Sequence, residues 1–561
     1  MSKVNDGEGG FAFTPGAGMS VSAAGDVNGD GYADLIIASY STNPSIDRLY
    51  AGHSYVIFGS GNGMVANLSS IEAGTGGFVI NGQCAMDMSG VSVSSAGDVN
   101  GDGLSDLIVG AYGADNYTGK SYVVFGKTDG AKIELASIAE EIGGFVINGE
   151  SVGDYNGCSV SGACDVNGDG LADLIVGAYG ADNYTGKSYV IFGKTDTAAI
   201  NLSAMGTEQS GFVINGQGAS DCSGQDLSVA GDVNGDGLAD LIVGAYYADT
   251  SGGATAGKSY VVFGKTGIGA IDLSAVALGQ GGFVINGECA DDWSGIDVSA
   301  AGDVNGDGLA DLIVGAYKAD PTGGADAGKS YVIFGSTSGA FIKSVVDWMG
   351  ASGNDTWTGS AITAQTAVGG AGNDALISAG AADVLYGGAG NDTIVIGSGM
   401  ITALQSAYGS GGNNTQLARI DGGSGSDTLR LDGGAKLDLT QIANQAAGNP
   451  TTGSRISSIE KIDLATDINA NILTLSARDV VDMAGMNLCN SSNGWVDLGP
   501  SVSRHQVVID GGANDVLALS DSAWVKSSLT VTHDATQYAV YDNNLAMAEL
   551  LVKAGMSVNL L

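Results

Sequence analysis

Residues 97–112 read GDVNGDGLSDLIVGAY. The string returns as GDVNGDGYADLIIASY from Gly25, CDVNGDGLADLIVGAY from Cys164, and GDVNGDGLADLIVGAY from Gly231 and from Gly302. FVING precedes it at Phe78, Phe145, Phe212 and Phe283, spaced 67, 67 and 71 residues apart, and KSYVVFG or KSYVIFG follows it, with HSYVIFG at His53. Five copies therefore span about residues 11–343. The first is worn: it begins near Phe11 and has Pro15 where later copies have Asp87, Asp154, Asp221 and Asp292. Residues 104–126 and 171–193 differ at only two positions, which marks one structural unit that has been duplicated. Inside a unit the apolar runs (FVI, SVS, DLIVGAY, SYVVFG) are short, β-branched or aromatic, and bounded by glycine, so they read as strands. About four strands per unit, with glycine turns and no helical period, predict an all-β fold of propeller blades, with solenoid stacking as the alternative.

Composition narrows the class. Of 561 residues, 94 are Gly and 5 are Pro, without a third-residue period, so the glycines serve turns and a collagen helix is excluded. Charged residues are 15% and apolar residues 44%, as in a globular chain. The formal charge of −40 repels phosphate backbones and anionic lipid, which argues against nucleic-acid partners and makes cations the natural ones. No apolar run approaches a membrane span, and the first twenty residues lack the layout of a cleavable signal. The six cysteines (Cys84, Cys158, Cys164, Cys222, Cys289, Cys489) show no CxxC spacing and read as free thiols.

The repeated string contains DxNxDGxxD. Alternating oxygen side chains let a tight loop aim several ligands at one centre, the glycine permits the turn, and the seventh-position carbonyl can add an oxygen. The sets are Asp26, Asn28, Asp30, Tyr32, Asp34; Asp98, Asn100, Asp102, Leu104, Asp106; Asp165, Asn167, Asp169, Leu171, Asp173; Asp232, Asn234, Asp236, Leu238, Asp240; and Asp303, Asn305, Asp307, Leu309, Asp311. Hard oxygens in this number suit Ca²⁺, whereas zinc would want His or Cys. An EF-hand is excluded, because position twelve after Asp98 is Val109 and a strand follows instead of a helix. A metal-free Asp/Asn turn is the alternative. It is disfavoured because three carboxylates in one turn repel one another unless a cation compensates them, and here the set occurs five times.

These motifs, FVING, DVNGDGxxDLIVGA and YVVFG, resemble the FG-GAP repeats of integrin-α-type β-propellers over residues 11–343. The resemblance implies calcium in a strand-to-strand loop of each blade. That family usually closes with seven blades and five are readable here, so closure of the ring stays open.

After residue 345 the period changes. GGAGNDALI (369–377), SAGAADVLY (378–386) and GGAGNDTIV (387–395) are consecutive, with isolated copies GASGNDTWT (350–358) and GGSGSDTLR (422–430). They fit GGxGxDxUx, with Asp374, Asp383 and Asp392 facing calcium and Leu376, Leu385 and Ile394 facing a narrow core. This is similar to the β-roll of repeats-in-toxin proteins and implies one or two further ions. With five in the loops, the ions would offset about +14 of the −40. From about 436 onward strands are expected at SIEKIDL, ILTL, HQVVIDG, DVLALSD, LTVTHD, YAVYDN, ELLVK and SVNLL, with a helix capped by Ser476. This end is similar to those of adhesins exported by bacterial type I systems, which read an uncleaved carboxyl-terminal signal. The expected domains are 1–345, 346–435 and 436–561.

No GxSxG or HExxH is present, and His53, His505 and His533 sit in no catalytic motif. Trp293 and Trp357 read as packing residues. The sequence thus predicts a non-enzymatic, calcium-dependent adhesin-like or surface protein of a Gram-negative-type bacterium. Its propeller would meet a protein or glycan ligand, or self-associate into a surface assembly. A secreted hydrolase is the alternative.

Overall fold

The computed structural model describes residues 20–60, 67–207, 209–305, 309–320, 326–335, 346–442, 454–464 and 468–560. Phe11, Pro15, Asp307 and the 343–345 boundary lie outside them.

Each repeat forms an antiparallel sheet. In the second, Val93–Gly97, Asp106–Ala111, Lys120–Val124 and Gly144–Asn148 are laid side by side in chain order. FVING is therefore the outermost strand of the blade before it, not the first strand of its own, and the structural unit is shifted against the sequence repeat. Two residues of the next unit, such as Ile133–Glu134, pair in parallel with that outer strand and cover its edge. The fifth blade has three described strands, Ser294–Gly302, Asp311–Ala316 and Lys329–Ile333.

Every residue of Asp106–Ala111 is buried, because each blade is sandwiched and both faces of its sheet carry apolar side chains. The two faces serve different neighbours. Ile36, Val56 and Phe78 of blade one pack with Leu107, Val109 and Tyr122 of blade two. Ile108, Val123 and Phe145 then meet Leu174, Val176 and Tyr189 of blade three, and the pattern repeats to blade five. Strand packing joins Ser20–Gly25 to Val93–Gly97 and so on to Ser294–Gly302, but among the described residues no comparable packing returns from the fifth blade to the first.

Most of the described residues after 345 form a parallel β-solenoid, to whose larger sheet Trp524–His533 and Thr536–Asn543 add an antiparallel edge. One sheet stacks Val346–Met349, Thr366–Ala371, Val384–Ala389, Arg419–Asp421 and Ile456–Ser457. The facing sheet runs from Thr356–Thr358 through Thr393–Ile396, Thr428–Leu431 and Lys461–Asp463 to His505–Asp510 and Ala548–Lys553. Leu376, Leu385 and Ile394 are fully buried in one core that continues to Leu550 and Val552. The expected boundary at 435/436 falls inside this core. Aliphatic residues continue the coil stacking after the glycine-rich turns stop, so no break forms there. The helix capped by Ser476 is Ala477–Met483, with a reciprocal capping box to Asp479. Trp357 packs in the roll, and none of the six cysteines is in a disulfide.

Leu107 and Leu35 occupy the same place in their blades, but among the described residues only Leu107 has a neighbouring blade packed on its face. Leu107→Ala is expected to cost about 2–4 kcal/mol and Leu35→Ala less than about 1 kcal/mol, measured as shifts in the denaturant midpoint. Equal shifts would contradict the junction assignment.

Candidate metal centres

In each blade the DxNxDGxxD loop joins the first strand to the second, and a bulge at its entry (Ser95 to Gly97 in blade two) throws the chain outward. Gly101 and Gly103 have φ of 75° and 102°, values that disfavour any residue with a Cβ. Asp98 accepts hydrogen bonds from the N–H groups of Gly101, Asp102 and Gly103 at 2.8, 3.0 and 3.0 Å. Asp102 accepts from Leu104 N–H and from the Asn100 amide, each at 2.9 Å. Asp106 accepts from Val99 N–H at 2.9 Å and from Gly126 N–H at 2.8 Å, which ties the loop to the end of the third strand.

The pattern holds along the chain. Asp34, Asp173, Asp240 and Asp311 make the same two bonds, to Val27 and Gly59, Val166 and Gly193, Val233 and Gly264, and Val304 and Gly335. The seventh-position N–H of Tyr32, Leu171 and Leu238 binds the fifth-position carboxylate, as Leu104 does. In the fifth loop Asp303, Asn305 and Leu309 are described beside Asp311.

Among the described residues no three acidic, His or Cys side chains converge as a ready cage, because backbone N–H groups hold the first and ninth carboxylates. The donor set nevertheless fits a hard cation, for an electrostatic reason. Burial pushes the Asp34 carboxyl up to about 8, with the Asp26 and Asp30 charges adding to the shift. Burial and then the Asp232 charge raise Asp236 to about 7, and burial and then Asp169 raise Asp165 to about 6. Asp106, Asp173 and Asp240 are held well above the usual carboxylate range, mainly by burial. A divalent ion removes this penalty, and calcium accepts the mixture of carboxylate, amide and carbonyl oxygens that each loop supplies.

The solenoid has a second set. Asp355 N–H donates to Asp374, Asp374 N–H to Asp392, and Asp392 N–H to Asp427, each at 2.7 Å, and Asp427 N–H donates to Glu460 at 2.6 Å. This ladder uses one oxygen of each carboxylate. The other, Oδ2 of Asp374, Asp392 and Asp427, is buried without a hydrogen-bond partner. A Cβ built on Gly387 would lie 2.5 Å from Asp392 Oδ2 and 2.3 Å from the Gly422 carbonyl oxygen, so the glycine leaves a cradle lined by these two oxygens. Burial raises Asp392 to about 6 and Asp427 to about 8. Orphaned buried carboxylate oxygens facing carbonyls fit a calcium row.

Asp383 stands apart from Asp374 and Asp392. It accepts from Ser378 Oγ at 2.7 Å and Gln365 N–H at 3.0 Å, on a different turn of the coil. Asp427 takes the place expected of it. The quoted copy GGSGSDTLR carried that signal, but an insertion with the helix Ser398–Leu404 separates it from the contiguous units.

The loops also meet the solenoid. Tyr386 donates its hydroxyl to Asp232 at 2.6 Å, Arg478 pairs with Asp98 at 3.2 Å, and Leu417 N–H donates to the Asp236 carbonyl at 2.9 Å. Tyr408 N–H reaches the Gly168 carbonyl at 3.1 Å, and His505 Nε2 lies 3.0 Å from the Gly31 carbonyl oxygen. Leu309 packs with Val368, Val384 and Tyr386. The solenoid thus returns along the loop face from blade five to blade one and covers it. Sequence reading found no role for His505; here it ties the last coils to the first loop.

In calcium-free protein the raised carboxyls hold protons in the folded state that the unfolded chain releases. Their contribution to stability is complete below the unfolded value near 4 and is lost as pH rises through the folded values, about 6 for Asp392 and about 8 for Asp34 and Asp427. The thermal midpoint in chelator is expected to fall from about pH 4 to pH 8, and calcium should reverse that slope, because the ion binds the deprotonated form. A midpoint that rises with pH in chelator would contradict this. Asp427→Asn should lower calcium stoichiometry while Asp383→Asn leaves it unchanged, as read by bound-metal analysis.

Comparison with known proteins agrees with this geometry. The FG-GAP repeat profile matches residues 17–57, 89–124, 159–191, 223–262 and 294–333, and the RTX calcium-binding nonapeptide repeat profile matches 364–399. Integrin alpha-PS2 of Drosophila melanogaster is 30% identical over 230 residues, 40% of this chain and 15% of that protein. Integrin alpha-7 of Mus musculus is 32% identical over 173 residues, 30% of this chain and 13% of that protein. The phosphatidylinositol-glycan-specific phospholipase D of Dictyostelium discoideum is 29% identical over 253 residues, 42% of this chain and 26% of that protein. The matched segments are thus a minor part of each relative. The nonapeptide profile names calcium, the ion that the donor sets fit. The chain carries five FG-GAP repeats followed by an RTX calcium-binding nonapeptide segment.

Proposed function

We propose that this is a calcium-loaded extracellular adhesion protein that binds a protein ligand on the propeller face opposite the calcium loops. The reading assigns one ion to each of the five loops and one or two to the row of Asp374, Asp392 and Asp427. The observation that carries it is the division of the two faces. The loop face lies under the solenoid, whereas the opposite ends of the second strands, about 20 Å away by strand length, carry a belt of aromatic rings.

That belt begins at Tyr112, Tyr117, Tyr155, Tyr179 and Tyr184, with Tyr155 and Tyr179 stacked at 5.1 Å. It continues through Tyr246, Tyr247, Trp293 and Tyr317. Lys318 Nζ sits 3.4 Å from the Trp293 ring centre, so the rings already accept an ammonium group, and Trp293 is part of this face instead of a core. Exposed Asp115 and Asp182 border the rings. Aromatic and acidic surface of this kind suits a protein with exposed Lys or Arg. Export through an uncleaved carboxyl-terminal signal belongs to the same reading. Calcium is scarce in bacterial cytosol and abundant outside it, and the RTX segment is of a type found in secreted bacterial proteins.

A hydrolase reading has one observation in its favour. A groove of about 610 Å³ in the solenoid is lined by Trp495, His533, Asp510 and Glu460, the last raised to about 7 by burial. Asp510 is held by Lys461 and Tyr538, and Glu460 by the Asp427 N–H, which occupies both carboxylates. Turnover of ester or glycoside substrates that disappears in His533→Ala would favour this reading.

For adhesion, binding to immobilised basic proteins in calcium is expected, with loss in chelator. Tyr179→Ala and Trp293→Ala should each weaken it about tenfold without changing calcium stoichiometry. Binding that survives both substitutions would overturn the assignment of the face.

A further inference from the structure

The alternation that builds the blade junctions leaves two unfinished surfaces. Ile36, Ile108, Ile175 and Ile242 face the following blade and are fully buried, but their equivalent in blade five, Ile313, is 37% exposed. Val56, Val123, Val190 and Val261 are likewise fully buried, while Val332 is 46% exposed and Phe334 beside it is also exposed. At the other end Leu107, Leu174, Leu241 and Leu312 face the preceding blade at 0% exposure, but Leu35 of blade one is 38% exposed. Val93, Val160, Leu227 and Val298 are buried where Val21 is exposed. The exposed residues occur at the ends of the row and nowhere between.

We propose that the trailing face of blade five docks on the leading face of blade one of a second copy of this chain, so that copies associate head to tail. The two surfaces are complementary by construction, because the same residue positions meet at every internal junction: Ile242, Val261 and Phe263 against Leu312, Val314 and Val298 is one of four such contacts. Ile313, Val332 and Phe334 would take the first role, and Leu35, Ile37 and Val21 the second. The polar part of the junction is present as well. Val93 N–H donates to Ser20 Oγ of the blade before it at 3.1 Å, Val160 N–H to Ser92 Oγ at 3.1 Å, and Val298 N–H to Asp226 at 2.7 Å. Asp297 and the Val21 N–H hold the equivalent acceptor and donor positions at the two open ends. A contact between unlike surfaces propagates into a filament or a ring instead of stopping at a symmetric dimer. This inference concerns the ends of the blade row and does not depend on the ligand face.

The test is sedimentation velocity of the full chain in calcium over a wide concentration range. Wild type is expected to form dimers and larger species. Ile313→Asp blocks the trailing end and Leu35→Asp the leading end, so each variant alone should be monomeric. An equimolar mixture of the two should form a one-to-one dimer and nothing larger, because one unlike pair of faces survives. Both residues are exposed, so circular dichroism and calcium stoichiometry should match wild type. Wild type that stays monomeric, as in a ring closed within one chain, would overturn the proposal. So would a variant that still associates alone, or a mixture that stays monomeric.

Discussion

A sheet that is apolar on both faces cannot be stable with one face in water, and this constraint organises the molecule. Each DLIVGA strand exposes nothing within the row, because its odd and even residues belong to different junctions. The blades are therefore not independent units, and removing one neighbour turns a core into surface. Blades one and five mark where that cover runs out.

The second constraint is charge. Burying the ninth-position aspartates secures the loop to the third strand through two backbone N–H groups, but it concentrates repelling carboxylates in a small volume. Arg478, and the Tyr386 hydroxyl beside Arg419, offset part of this at Asp98 and Asp232, and they come from the solenoid, not from the blades. The calcium loops and the solenoid are thus linked physically. Whatever changes the charge of the loops changes the surface on which the solenoid rests.

Much of this was legible from residue spacing. Short β-branched strands, glycine turns and the DxNxDGxxD loops are local patterns, and local patterns survive reading in one dimension. The strands Ile472–Leu475, His505–Asp510 and Ala548–Lys553 and the cap at Ser476 appear where composition places them. The frame of the repeat did not follow from spacing: FVING pairs with the strand before it in the chain, and a repeat can be cut at any point without changing its period.

The sequence by itself determined the blades, the loops, the oxygen-rich donor sets and the nonapeptide coil, because each depends on residues within one turn or one hairpin. The tertiary structure decided which aspartates align. Asp427 joins the ladder across 35 residues, while Asp383, nine residues from Asp392, turns to another side of the coil. It also decided that the solenoid covers the loop face, since Tyr386 meets Asp232 across 154 residues and Arg478 meets Asp98 across 380. Contacts at such separation are selected by which surfaces remain apolar or charged once the local units have formed, and that choice exists only in three dimensions.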